Sequence, residues 1–286
     1  MSLPARWLIF AALALLAGAV AFAPLAMRTK ATAALRAAAA PARARLTQWA
    51  ALLTALAFVL EFVLRLFDGV VTMRDVLLLA VRLTFVAGIA LRLRSGRDDA
   101  PIAIAASAAL ILTQSLSSRS ASQPEWVLPV LADWIHFTFA AVWLGGVAYF
   151  AIVLVPIVLR QRQLLSDLGA TIERFSSLAV MSVLVIGLTG IMQSASFVGS
   201  LAALFNTDYG RALLVKTGLF VVLISFGAFH QFVIGPQLRA WRAQAQSSYE
   251  AARRFRVSIT AETAVSALTL AAAAAMTVLP AAHFAP

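Results

Sequence analysis

The chain has 286 residues, of which 62% are hydrophobic and only 12% charged, with a mean hydropathy of +0.90. A soluble domain is roughly half apolar and about a quarter charged, so this composition is that of an all-α integral membrane protein. There is no cysteine, which removes disulfides, thiolate metal relays and redox pairs together. The net charge of +11 does not form a nucleic-acid patch, because the basic residues alternate from loop to loop.

A helical span needs about 20 apolar residues, and eight apolar runs are predicted as spans: 7–26, 49–67, 76–91, 101–116, 130–159, 178–199, 212–233 and 258–279. The third and fourth are short and the fifth is long. Loops after the odd-numbered runs hold 16 of the 23 Lys and Arg residues, the opposite side holds Arg6, Arg74, Arg119 and Arg211, and Arg65, Arg82 and Lys216 fall within spans. Basic loops stay on the cytoplasmic side, so the expectation is an eight-helix membrane bundle with both termini outside. The lipid bilayer is its first partner.

In chain order, Ala21-Phe22-Ala23 looks like a cleavage site. The run is nevertheless expected to be a span, since the n-region has one basic residue and five positive charges follow closely. The Ala/Arg-rich stretch 30–45 is expected to be a cytoplasmic loop or a short interfacial helix. Glu61 and Arg65 form a favourable i, i+4 pair with Arg82 at similar depth, a set read as structural because arginine makes poor chemistry for binding a cation. The Ser-rich linker 117–129 divides the chain into an N-terminal four-helix half, 1–118, and a C-terminal four-helix half, 119–286. Trp7, Trp49 and Trp126 are expected to anchor span ends, and Gly145, Gly146, Gly187, Gly190, Gly218 and Gly227 to serve close helix packing.

The fifth run carries the most informative residues. Asp133, His136, Ala140 and Trp143 share one helix face, and an ionisable group at bilayer depth is expensive enough to be read as functional. Neither Lys30 nor Lys216 follows a glycine, so there is no phosphate-binding loop and no nucleotide is expected. A serine elbow, a carboxylate pair beside a nucleophile and a His-Glu-x-x-His motif are all missing. No enzyme is therefore expected.

Asp133-Trp134-Ile135-His136, Trp143-Leu144-Gly145-Gly146, Arg174-Phe175-Ser176, Tyr209-Gly210-Arg211 with Lys216, and Arg254-Phe255-Arg256 followed by Glu262 come in an order and spacing that resembles the copper resistance protein D (CopD) family over about 130–280. His230 departs from the pattern, since many relatives have Asn near the end of that helix. The resemblance implies an inner-membrane protein of copper transport, in the direction of uptake, or copper resistance, working with a separate periplasmic CopC-like copper-binding protein.

With copper as the cargo, depth along the helices sorts the candidate ligands into two levels. His136 lies about six residues, or ~9 Å, from the outer end of its helix, and Met192 and Met276 come at comparable depth on the sixth and eighth spans. Imidazole and thioether suit Cu(I), and His283, just beyond the last span, is placed as a first receiver. Near the cytoplasm, His230, Glu262 and Met181 form a second level, as an exit site, a proton acceptor or a structural tie. Polar residues between the levels, Ser182, Thr189, Gln193 and Ser196 on the sixth span and Ser266 and Thr269 on the eighth, suggest an internal path. Two readings compete: a scaffold that docks a copper carrier without conducting, and a haem-bearing electron-transfer protein. The depth difference between His136 and His230 prevents bis-histidine ligation of one iron in the latter.

Overall fold

The computed structural model describes residues 2–94, 100–240 and 245–280. Among them the chain is helical throughout: α1 (Leu3–Ala26), α2 (Ala33–Phe67), α3 (Met73–Arg94), α4 (Ala100–Ser115), α5 (Val127–Tyr149), α6 (Val155–Arg160), α7 (Leu165–Val198), α8 (Leu201–Asn206), α9 (Asp208–Phe229), α10 (Gly235–Arg239) and α11 (Ala245–Val278). Wide five-residue π turns, Phe150–Leu154 and His230–Ile234, join α5 to α6 and α9 to α10 without a break in the helical path. The stretch expected as a loop or interfacial helix at 30–45 is mostly the first turns of α2, which runs through Pro41 as one helix.

The eight-span expectation is corrected to six. Six segments among the described residues are long and apolar enough to cross a membrane: Leu3–Ala26, Lys30–Phe67, Val127–Arg160, Arg162–Val198, Asp208–Arg239 and Ser247–Val278. The two that fall away are the ones the sequence marks as short. Helix α4 has 16 residues, a length of ~24 Å against the ~30 Å hydrocarbon core. Helix α3 carries Arg82 near its middle, and that guanidinium is committed to a buried ion cluster. Both pack against the other helices. The chain remains a multi-pass membrane protein, with six such segments in place of the eight expected.

Helices α1 and α5 form the centre. Their contact is close because both are glycine at the crossing: a methyl on Gly145 would stand 1.9 Å from the Ala14 carbonyl oxygen, and one on Gly18 2.2 Å from the Gly145 backbone. Gly146 makes room for the Phe175 ring, 2.3 Å from where its Cβ would lie. The packing role expected of Gly145 and Gly146 is what this geometry requires. By contrast, Gly187, Gly218 and Gly227 face open space. Although α1 lies on the N-terminal side of the 118/119 boundary, it packs against α5, α7 and α11.

Two buried assemblies tie the helices. Glu61, 2% exposed, is gripped by Arg65 at 3.1 Å, Arg82 at 3.1 Å and Arg6 at 3.6 Å. Arg82 also donates to the Thr113 and Ser117 hydroxyls, the Thr113 carbonyl and the Gln114 side chain, and its guanidinium lies 4.5 Å from the centre of the Phe58 ring. Breaking such a pair by removing one partner costs several kcal/mol, so this cluster holds α1, α2, α3 and α4 together. Towards the arginine-rich end, Phe22, Tyr149, Phe150, Phe175 and Phe255 stack at centroid distances of 4.4 to 5.6 Å. Phe175 and Phe255 are two of the landmark residues, and their work here is packing.

Candidate functional site

Helices α1, α5, α7, α9 and α11 enclose a cavity of about 410 Å³ towards the arginine-poor end. Its walls are mainly apolar, with Phe137, Leu144, Ile186, Phe220 and Leu223 among them, and its polar lining includes Asp133, His136, Gln193 and Lys216. The face shared by Asp133, His136, Ala140 and Trp143 is the α5 wall of this space, as the helical spacing predicts. Asp133 lies within electrostatic reach of Lys216 and towards the hydroxyls of Ser115 and Ser118.

His136 Nδ1 lies 2.9 Å from the Thr189 hydroxyl, which itself donates to the Val185 carbonyl at 2.6 Å. A hydroxyl that has given its proton to the backbone serves the ring as acceptor, which places the imidazole proton on Nδ1 and leaves Nε2 as a lone pair. The Ile186 backbone is a second hydrogen-bond neighbour of the ring. Gly190 supplies clearance: a Cβ there would come within 3.5 Å of the ring.

The expected partners of His136 divide. Met276 lines the same cavity, resting against Phe197, Val198 and Tyr209. Met192 does not line it and is 40% exposed on the outside of the bundle. His283 lies outside the described residues. No group of three or more His, Asp or Glu side chains that could hold a metal gathers among the described residues.

At the second level His230 and Glu262 meet, with His230 Nδ1 3.1 Å from Glu262 Oε2 and both buried, although that oxygen accepts no hydrogen bond. His230 Nε2 lies 2.8 Å from the Ser258 hydroxyl, and the Phe255 ring packs edge-on against the imidazole at 4.9 Å. His230 opens the π turn on α9, a local widening that often marks functional positions. Met181 is 55% exposed and faces away from this pair. Ser258, one turn before Glu262 on the same face of α11, was not among the predicted site residues, although its i, i+4 spacing from Glu262 would have found it.

Trp143 stands between the levels. Its side chain, 2% exposed, lines both the large cavity and a pocket of about 20 Å³ that also touches His230 and Glu262, and its ring meets Phe220 edge-on at 5.8 Å. The polar stripes are mostly satisfied locally: Ser182, Ser196 and Thr269 donate to carbonyls of their own helices. Ser266 is buried without a hydrogen bond, and Thr189 is the stripe residue that reaches His136. Arg6 and Arg119 also line the cavity, and the sequence gives no sign of that. Arg119 is anchored by donating to the Thr277 and Leu279 carbonyls at the end of α11. Of the tryptophans expected as anchors, Trp49 and Trp126 are exposed, while Trp7 donates to the Ala267 carbonyl at 3.0 Å inside the bundle.

Residues 169–276 match the family described as CopD: Copper resistance protein D. The chain is 35% identical over 131 residues to the copper transport protein CutJ of Bacillus subtilis (strain 168), covering 46% of this chain and 24% of the relative. It is 28% identical over 141 residues to the copper resistance protein D of Pseudomonas syringae pv. tomato, covering 49% of this chain and 45% of that protein. The matched stretches thus span less than half the length of either relative. No solved structure matches. The family match takes in Lys216, His230, Glu262 and Met276, whereas Asp133, His136 and Trp143 precede it. Residues 169–276, the segment from α7 to near the end of α11, are thus similar to the copper resistance protein D family.

Proposed function

We propose that the chain is an inner-membrane copper transporter that takes Cu(I) into the large cavity and passes it towards the cytoplasm. The arginine-poor end, where the cavity lies, is the outer end by the charge bias of the loops. The observation that carries this reading is the geometry of His136, an imidazole with its Nδ1 fixed by Thr189 and its Nε2 facing a cavity that it shares with Met276. Fixing one nitrogen of a ligating histidine sets the tautomer and orients the other towards the metal. Copper held there by an imidazole and a thioether sits above Trp143, which separates it from the His230–Glu262 pair. Onward movement requires that indole to turn aside.

The lower pair acts as a fixed element on the exit side. Both imidazole nitrogens of His230 are blocked, Nε2 by the Ser258 hydroxyl and Nδ1 by the close approach of Glu262, so copper does not bind there unless one of these neighbours moves. Delivery from the outside falls to a soluble periplasmic copper carrier of the CopC kind, since the cavity offers too few donors to collect a scarce ion from bulk solution.

The test is copper accumulation in cells expressing the wild-type chain or His136→Ala at matched membrane levels, with Cu(I) and Cu(II) uptake compared in proteoliposomes. Loss of accumulation in the variant supports the reading. Equal accumulation removes His136 from the mechanism, and a carrier that docks normally with no copper flux in either protein favours a scaffold instead.

A further inference from the structure

Three cations line the cavity against one carboxylate. Arg6 is paired with Glu61 at 3.6 Å, and Arg119 is anchored on the α11 carbonyls with its guanidinium 6.0 Å from the centre of the Tyr209 ring. Lys216 is different. It lies eight residues into α9, ~12 Å along the helix, and among the described residues it makes no hydrogen bond and closes no ion pair, with Asp133 attracting it only from a longer distance. A second donor shares its situation: the side-chain amide nitrogen of Gln193 is buried with no hydrogen-bond partner and lines the same cavity.

Buried donors are ordinarily matched by acceptors, and each exception calls for a physical reason. Here two unmatched donors, the Lys216 amine and the Gln193 amide, line one half-open cavity from α7 and α9. We propose that this cavity is an anion site, in which Lys216 and Gln193 hold a small monovalent anion. Most of the remaining lining is apolar in area, with Phe137, Leu144 and Ile186 in it, and replaces a tightly held hydration shell poorly. The anion favoured is therefore weakly hydrated, thiocyanate or iodide before chloride. The site goes beyond the copper reading and does not depend on it, although an anion in this cavity would offset the charge of a monovalent metal arriving at His136. Asp133 opposes the anion by its like charge and by competing for the ammonium.

The experiment uses the full chain in detergent, without copper. Chloride-35 NMR line broadening reports chloride exchanging on the protein, and thiocyanate is added as competitor. The wild type is expected to show a saturable excess line width that thiocyanate displaces at lower concentration than chloride. Lys216→Met is expected to abolish that saturable part and Lys216→Arg to retain it, while Asp133→Asn strengthens binding. Opposite signs from two substitutions in one cavity cannot both arise from misfolding. An unchanged saturable signal in Lys216→Met, or weaker binding in Asp133→Asn, would overturn the proposal. Because no copper is present, failure here leaves the copper reading standing, and failure of the His136→Ala test leaves the anion site standing.

Discussion

The two described histidines of the bundle occupy opposite physical situations. His136 touches open space, with one nitrogen tied to Thr189. His230 is closed in, with one nitrogen on Glu262, the other on Ser258 and an aromatic ring packed against its edge. An imidazole acts as a ligand only through an available lone pair, so under the proposed function the first exchanges partners and the second keeps them. Intramembrane position alone does not separate the two roles. The number of blocked nitrogens does.

The largest expected effect follows directly. His230→Ala leaves the Glu262 carboxylate buried without its partner, and loss of one member of a buried pair typically costs ~3–5 kcal/mol. Thermal unfolding in detergent is expected to show a much lower midpoint than wild type. His136→Ala removes hydrogen bonds worth about 1 kcal/mol each, and is expected to unfold close to wild type while losing copper accumulation. If His136→Ala proves as unstable as His230→Ala, the division between exchanging and structural histidine fails.

A comparable loss is expected from Trp143→Ala, since deleting a buried Trp or Phe side chain costs ~3–5 kcal/mol. Its sharper consequence is access. The indole is the shared wall of the two cavities, so removing it joins them. Acylation by diethyl pyrocarbonate, read by mass spectrometry, is expected to modify His136 and spare His230 in the wild type. In Trp143→Ala both should react. Continued protection of His230 in a folded variant would place the barrier elsewhere.

Exchange of sulfur for carbon tests the ligand set with a smaller perturbation, as a Leu for Met swap usually costs under about 1.5 kcal/mol. Met276→Leu is expected to lower copper accumulation without a matching loss of stability. Met192→Leu, on the outer surface, is expected to leave both unchanged. Impairment by Met192→Leu alone would reverse the assignment.

The fate of the methionines explains how much of the site could be read in advance. Depth along a helix follows from residue count, and it put His136 level with Met276 and His230 level with Glu262, pairs that the folded chain brings to one cavity and into contact. Direction around the helix is a separate variable, at about 100° per residue. The buried positions Ser182 and Thr189 mark the inward face of α7. Met181 is one step of about 100° from Ser182, and Met192 about 60° off the Thr189 direction, so both turn towards lipid. That rotation was present in the polar stripe and outweighs depth. The span count failed for a different reason. Apolar length registers a candidate span, but α4 is too short, and Arg82 in α3 is neutralised by Glu61 and the polar groups of α4, partners that no local window contains. The contribution of α1 was least legible, because Gly18 meeting Gly145 is a contact between two helices far apart in sequence.

The finest test concerns the hydroxyl that orients His136. Thr189→Val keeps the volume of the side chain and removes the group at 2.9 Å from Nδ1, a loss of about 1 kcal/mol as a hydrogen bond. The stability change is therefore expected to be small. Copper handling should respond more strongly, because the ring is freed to rotate and to place its proton on either nitrogen, and only one of those forms offers Nε2 to the cavity. A partial fall in accumulation is expected, restored by Thr189→Ser, which returns the hydroxyl. If Val and Ser behave alike, the orientation of His136 comes from the walls around it, with Gly190 the next position to vary, and the hydrogen bond is incidental to its exposure.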